Sequence, residues 1–303
     1  MAKEIQKEDL PKIKELIRKI LKADEYKNLT RMGGLTNHTY KVTLNDGRNY
    51  VVRIPGEGTE DLIVRSDEKK STTLACDLEI DARLLYFGDE GSKVTEYIPE
   101  AVTMNGKMLQ EPRHMRQCAE IFKKLHTSGK STGVPFEVFD MATGYEEIIH
   151  KHKVSMYDDY ENVKKKVGEI KKTIDLECHA DKVPCHNDAL CENWVESGDG
   201  RMYLIDWEYA GMNDGMWDVA DVSIEADYSP SQDNEFLEYY LGNKPSKLDM
   251  LHFLASKIYV DYLWTLWAKA RVPYDGQPME DWASERYARL KKNIRAYDKV
   301  MEG

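Results

Sequence analysis

Apolar residues recur at helical spacing near the start of the chain. Leu10, Ile13, Ile17, Ile20 and Leu21 share one face and predict an amphipathic helix near residues 8–23. The period then shortens to two. Tyr40, Val42 and Leu44 alternate with polar residues, Asp46-Gly47 turns the chain, and Tyr50-Val51-Val52-Arg53-Ile54 returns, which predicts a β-hairpin. Residues 65–79 suit a second helix, and LLYFGDEGSKVTEYI predicts two more strands around Asp89-Glu90-Gly91. From about residue 110 the helical period returns. Met115, Cys118, Ile121, Phe122 and Leu125 line a helix near 112–127, and a charged helix is expected over 157–176. A short β island follows: VPCHNDALCENWV at 183–195, a Gly198-Asp199-Gly200 turn, and RMYLIDWEYA. Beyond residue 216 helices dominate, among them the apolar stretch LDMLHFLASKIYVDYLWTLWAKA. The pattern predicts an α+β chain with a small N-terminal lobe, residues 1–99, built on an antiparallel sheet. A larger and mainly helical C-terminal lobe, residues 100–303, follows it.

Composition narrows the partners. The 303 residues carry a net charge of −11, so the chain repels phosphate backbones and nucleic-acid binding is not expected. An anionic ligand needs local donors or a metal, whereas a small cation finds the overall field favourable. The first residues alternate charges with Ile and Leu and read as neither a signal peptide nor a membrane span, so no membrane partner is expected. Cys76, Cys118, Cys178, Cys185 and Cys191 are scattered and form no CxxC pair. Reduced thiols in a cytoplasmic protein are the expectation.

Candidate chemistry sits in the β island. His186, Asp188 and Asn193 are spaced HxDxxxxN, and Asp206 lies thirteen residues past Asn193. A hairpin over the island would bring Asp188, Asn193 and Asp206 to one edge. One of the two carboxylates and the Asn193 amide oxygen suit Mg²⁺, which takes oxygen ligands. The second carboxylate is left to orient or deprotonate a hydroxyl. Phosphoryl transfer needs this division of labour. Upstream, Gly33-Gly34 precedes a strand and lets backbone N–H groups close on phosphate, with Thr36 and Asn37 as further donors. Arg53 on the returning strand offers a cation to phosphates, and Glu68 on the next helix would hold it. No part is specific alone. The order of phosphate loop, strand cation, helix carboxylate, catalytic loop and metal Asp is.

GGLTNHTYKV at 33–42, YVVRIPG at 50–56, CHNDALCENW at 185–194 and LIDWEYAGMNDGMWDVAD at 204–221 resemble the kinase-like small-molecule phosphotransferases. These include aminoglycoside phosphotransferases and choline/ethanolamine kinases, and the chain looks most like the bacterial choline kinases over roughly residues 28–270. The resemblance implies a bilobal protein-kinase-like fold that uses ATP and Mg²⁺ to convert choline to phosphocholine. It makes Asp188 the base and Asn193 and Asp206 the metal ligands. Gly33, Gly34, Leu35, Thr36, Asn37, Arg53 and Glu68 would form the phosphate side of the nucleotide site. The backbone of Glu96 and Ile98, in VTEYIPE, would meet adenine. Two departures stand out: the glycine loop lacks GxGxxG, and Asn187 follows His186 where protein kinases usually carry Arg.

A quaternary ammonium donates no hydrogen bond and is held by aromatic faces and carboxylates. Trp264 and Trp267, at i,i+3 on one helix, match the Trp-x-x-Trp pair of the family's choline pocket. Glu225 is the expected counter-charge, and Tyr228, Tyr209 and Trp207 are further wall candidates. The competing readings are an ethanolamine kinase, an aminoglycoside-type kinase and an inactive choline-binding module. The basic clusters of the tail disfavour the aminoglycoside reading. The presence of both the base and the metal ligands disfavours the inactive one.

Overall fold

A computed structural model describes residues 4–33, 37–56 and 63–303. The chain forms two compact units: Met1–Met104 with Glu192–Ala210, and Asn105–Cys191 with Gly211–Gly303. In the first, helix α1 (Leu10–Leu16) runs into a single π turn, Ile17–Leu21, and stops at Lys22 in the left-handed region, φ 55°. Strands β1 (Tyr26–Gly33), β2 (Asn37–Leu44) and β3 (Asn49–Pro55) precede helix α2 (Arg65–Asp77), and β4 (Leu84–Phe87) and β5 (Lys93–Glu96) complete an antiparallel sheet in the order β1-β2-β3-β5-β4. The expected hairpin is β2–β3, with Tyr40 opposite Val52 and Val42 opposite Tyr50. Alternation puts Tyr40, Val42, Val52 and Ile54 in one core with Ile13, Leu16, Ile17 and Leu21 of the N-terminal helix. Strand β1 was not anticipated. It is an edge strand, and none of its side chains at residues 26–32 is fully buried.

The β island is not one hairpin, and this corrects the sequence-based expectation. A short strand β6 (Val102–Thr103) pairs with β8 (Trp194–Glu196), which pairs with β9 (Met202–Leu204), all in the first unit. Strand β7 (Lys182–Cys185) pairs instead with β10 (Gly211–Asp214) in the second. The chain leaves strand geometry between β7 and β8, where Asn187 takes φ 66°. Asn tolerates that left-handed conformation better than most residues.

The second unit is mainly helical: α3 (Gly106–Leu109), α4 (Pro112–His126), α5 (Val138–Lys151), α6 (Tyr160–Glu177), α7 (Met216–Glu225), α8 (Pro230–Leu241), α9 (Lys247–Asp275) and α10 (Gln277–Glu302). Helix α9 is apolar on nearly every face because α5, α6, α7 and α10 all pack against it. It starts at a capping box, Ser246 with Asp249. Among the described residues no helix is long and apolar enough to cross a membrane.

One buried acid of the first unit stands outside this packing logic. Asp81 is 5 % exposed. Its Oδ1 accepts the Ala82 N–H at 2.6 Å, and its Oδ2 has no hydrogen-bond partner among the described residues. Burial pushes its pKa up to about 6, with Lys93 pulling the other way. A carboxylate whose folded-state pKa lies above the unfolded one favours the fold most when protonated, and that contribution is lost as pH rises through about 6. Asp81→Asn should therefore stabilise the protein at pH 7.5, by about 1–3 kcal/mol. The gain should shrink as pH falls to 5. Urea unfolding at both pH values checks this, and an equal effect at both would contradict it.

Candidate active site

Strand β3 places Arg53 on a buried face, cross-strand from Thr39 and Lys93. Helix α2 sets Glu68 against it, with Glu68 Oε1 2.5 Å from Arg53 Nη2. The expected partnership is present, and a second one accompanies it. Arg65, one turn earlier on α2, donates from Nη1 to Glu68 Oε2 at 2.7 Å. The i,i+3 spacing was the available signal for Arg65. Burial opposes the Arg53 charge, but the Glu68 carboxylate more than offsets this and the pKa is raised. Burial likewise opposes the Glu68 charge, and Arg53 outweighs it to leave the carboxyl below its ordinary value. Arg53 Nη2 also donates to the Gly91 carbonyl at 2.9 Å. Gly91 must be glycine: its φ is +94°, and a Cβ there would lie 2.5 Å from Arg65 Nε. Arg53 Nε and Nη1 are buried and make no hydrogen bond among the described residues, so two donors remain for an anion.

Asn193 ends a 3₁₀ turn, Cys191–Asn193, and its carbonyl accepts the Ile205 N–H at 2.9 Å. That bond extends the β8–β9 hairpin, which puts Asp206 beside Asn193 as the sequence reading expected. Asp206 takes φ 69°, and its Oδ1 lies 3.5 Å from Arg53 Nη1. Glu208 adds a carboxylate that the sequence reading had not given a role. Burial, then Asp206, pushes its pKa up to about 7. Hard oxygen donors and crowded negative charge are the environment a divalent cation favours, so Asn193 and Asp206 fit Mg²⁺.

The remaining candidates of this unit divide. Gly33 closes β1, whereas Gly34, Leu35 and Thr36 lie outside the described residues. Asn37 opens β2, and its Nδ2 donates to Glu208 Oε2 at 3.1 Å, so its amide meets a carboxylate. The Glu96 N–H bonds the Arg83 carbonyl at 3.0 Å, and Ile98 follows β5 half-buried. Trp207 is buried with its indole N–H on the Leu204 carbonyl at 3.0 Å, and Tyr209 is half-buried nearby in sequence.

In the second unit α7 holds the segment carrying Asp188 at several points. Asp218 Oδ2 accepts the His186 N–H and its Oδ1 the Asn187 N–H, both at 2.8 Å. Asp221, one turn on, accepts the Ala189 N–H at 2.6 Å. Trp217 Nε1 donates to the Asn187 carbonyl at 3.1 Å and Asn213 Nδ2 to the Asn187 side chain at 3.0 Å. Asn187 therefore shapes the loop from inside, which is what its departure from the protein-kinase pattern means here. The ligand atoms of His126, Cys185 and Asp218 lie within 4.8 Å of one another. Asp218 Oδ2 is also 3.1 Å from His126 Nε2, and His126 Nδ1 is 2.9 Å from the Tyr240 hydroxyl. The group is thus a hydrogen-bonded clamp on the loop.

The same unit gathers the aromatic candidates. Trp264 and Trp267 stand edge to face with centroids 6.0 Å apart, and Trp267 meets Trp282 of α10 at 5.8 Å. Trp282 escaped the sequence reading because it lies on another helix. Glu225 is present but paired: Arg286 Nη2 lies 2.5 Å from its Oε1. Asp261 receives Arg289 through both carboxylate oxygens, at 2.7–3.1 Å. Asp221 is pushed well above the ordinary carboxylate range by burial, then by Glu225 and Asp188, with Arg286 opposing. Asp188, Asp221, Glu225, Asp261, Arg286 and Arg289 thus form one interacting group. Tyr228 turns its hydroxyl to the Leu109 carbonyl at 2.8 Å and its ring to Phe236, in the packing of α3 and α8.

Many solved structures resemble the chain, three of them as follows. A choline/ethanolamine kinase family protein from Mesorhizobium loti is 28 % identical, with a TM-score of 0.85 over 97 % of this chain and 98 % of that one. The choline kinase LicA from Streptococcus pneumoniae is 32 % identical, with a TM-score of 0.80 over 96 % and 100 %. LicA in complex with AMP is 32 % identical, with a TM-score of 0.75 over 95 % and 98 %. The fold is the α+β, protein-kinase-like one that the sequence suggested. The family model described as choline/ethanolamine kinase matches residues 29–270, and the chain belongs to that family.

Proposed function

We propose that the chain transfers the γ-phosphate of ATP to the hydroxyl of choline, in a Mg²⁺-dependent reaction that gives phosphocholine and ADP. The observation that carries the choline reading lies within one unit: Asp188, Asp221, Glu225 and Asp261 interact with one another and with Arg286 and Arg289, and Arg286 lies over the Trp282 ring, which meets Trp267 and through it Trp264. Surplus negative charge next to ring faces suits a cation that cannot donate hydrogen bonds. The likeness to LicA, a choline kinase with a solved AMP complex, supports both substrates. Ethanolamine is the second reading, because a primary ammonium would use the same carboxylates with three N–H donors. A reducing cytoplasmic setting fits five free cysteines.

In this reading Asp188 accepts the hydroxyl proton as the choline oxygen bonds to the γ-phosphorus. The bond to the bridging oxygen breaks, and ADP leaves with that electron pair. Arg53 neutralises phosphate charge through Nε and Nη1, while Glu68 fixes the guanidinium plane. Asn193 and Asp206 would hold Mg²⁺, which when bound offsets the charge of the β- and γ-phosphates. Asp218 positions Asp188 by holding the backbone just before it.

The direct test measures ADP release with Mg²⁺ and choline, ethanolamine or kanamycin as acceptor. Choline should give the highest kcat/KM, and turnover with ethanolamine alone would overturn the choline assignment. Asp188→Asn should lower kcat by about 10²–10⁴-fold. Calorimetry should find choline binding preserved in that variant. Asp218→Asn exchanges one carboxylate oxygen for an N–H donor that faces a loop N–H. We expect kcat to fall roughly 100-fold with choline KM changed less than about threefold, since a misplaced base slows chemistry more than binding. Trp267→Ala should raise choline KM about tenfold through loss of a ring face. Its effect on ethanolamine KM should be smaller, and equal effects would remove Trp267 from the ammonium site.

A further inference from the structure

Arg286 has no part in the transfer chemistry, yet it is buried in the middle of the proposed substrate region. Its side chain is 4 % exposed. Its Nη2 lies 2.5 Å from Glu225 Oε1, its Nη1 lies 3.5 Å from Asp261 Oδ1, and its Cζ sits 4.1 Å from the centroid of the Trp282 ring. A carboxylate and a tryptophan face are the two elements that bind an ammonium, and here a side chain of the protein already occupies one such set. The other negative groups can be followed individually. Asp261 is neutralised by Arg289 in a two-point contact. Asp188 is the base. Asp221 uses Oδ2 for the Ala189 N–H, and its buried Oδ1 has no hydrogen-bond partner among the described residues. Arg286 and Arg289 thus already offset Glu225 and Asp261.

Resting on the choline reading, we propose that Arg286, backed by Arg289, is a specificity determinant: it fills a second cation site with an internal guanidinium and so restricts the enzyme to amino alcohols bearing a single positive charge. A dicationic substrate would have to leave its second charge beside Arg286, where like charges repel without water to screen them. Replacing Arg286 by a neutral residue releases Glu225 and the Trp282 face, and the vacated set becomes a site for that second charge. The arrangement differs from an ordinary structural ion pair in one measurable way. A structural pair changes stability or turnover for every substrate alike, whereas a charge filter changes the ratio between substrates.

The test compares kcat/KM for choline, for a derivative with one N-methyl replaced by 3-aminopropyl, and for the propyl analogue as the size control. The wild type should prefer choline over the aminopropyl dication by about 100-fold beyond the propyl control, the scale of two tenfold steps in transition-state binding. Arg286→Gln should reduce that preference at least about tenfold, and Arg289→Gln, at a more exposed position, should reduce it about threefold. Arg286→Lys keeps the charge and should keep the ratio. In the double variant Arg286→Gln/Glu225→Gln the charge balance is restored, and the ratio should return to within about threefold of wild type. A ratio within twofold of wild type in both the Arg286→Gln and the Arg289→Gln variants overturns the proposal, as does a double variant that keeps the Arg286→Gln ratio. If Arg286→Gln does not fold, the Arg289→Gln ratio decides. Failure of the wild type to phosphorylate choline at all would instead count against the function proposed above.

Discussion

A loop that carries a catalytic carboxylate must be buried at its base and open at its tip, and its backbone N–H groups cannot be left without partners. Residues 186–189 have no strand to pair with, because β7 ends at Cys185 and Asn187 turns into the left-handed region. Two carboxylates one helical turn apart solve this. Asp218 and Asp221 face the same way on α7 and together accept three consecutive-region N–H groups, those of His186, Asn187 and Ala189. Charge-assisted bonds of this kind are among the stronger ones available to a backbone donor. Asp188 lies between the anchored positions, and its own N–H donates to His186 Nδ1 at 3.3 Å. The rest of the second unit serves this constraint: α7 is buried along its length and pinned against α9, which makes the two carboxylates fixed points.

The first unit meets a related constraint with the opposite sign. Arg53 must be buried to lie within the sheet face and must keep donors unused. A single carboxylate, Glu68, resolves the first requirement by accepting two guanidiniums, one from β3 and one from its own helix. Arg65 bonds Glu68 Oε2 while Arg53 meets Oε1, and among the described residues Arg53 Nε and Nη1 make no hydrogen bond, with Nη1 3.5 Å from Asp206. Removing Glu68 would leave Arg53 with Asp206 at 3.5 Å and Arg65 with Glu208 at 3.9 Å as longer-range partners, a greater loss than that of an exposed ion pair. The pairing is thus a device for orientation as much as for stability.

Much of this was legible in the sequence where the signal is local or periodic. Alternation over Tyr40–Leu44 and Tyr50–Ile54 marked the hairpin, an apolar face marked α4, a charged run marked α6, and a continuous apolar stretch marked α9. The Arg53–Glu68 pair could be anticipated because strand and helix alternate in a fixed order. What failed depended on contacts distant in sequence. VPCHNDALCENWV looks continuous, but its two halves pair with different strands, in different units. Nothing local marks the break, since Asn187 is held by Asn213 and Trp217 from beyond the next turn. Asp218 and Asp221 stood out within the family-like block, yet their task is visible only once α7 is placed against the loop. Arg286 and Trp282 read as an ordinary solvated helix face, because α10 is charged throughout and its buried side is defined by α9.

The division of chemistry between elements has a further consequence. The α9–α10 hairpin supplies Asp261, Trp264 and Trp267 from one helix and Trp282, Arg286 and Arg289 from the other. Asp261 sits on a helix buried on nearly all sides, and burial raises its pKa against the pull of Arg289 and Arg286. An acid in that position is tolerable only with cations across the interface, so the charges of α10 are a condition of the charges of α9. The loop anchors and the phosphate-side residues, by contrast, depend on α7, α2 and the sheet. On the function proposed above, substitutions in the helical hairpin would alter which amine is accepted while leaving the backbone bonds that anchor the Asp188 loop intact. Such an organisation would hold the phosphoryl-transfer parts constant and vary the acceptor, because the two sets of charges are balanced by different partners.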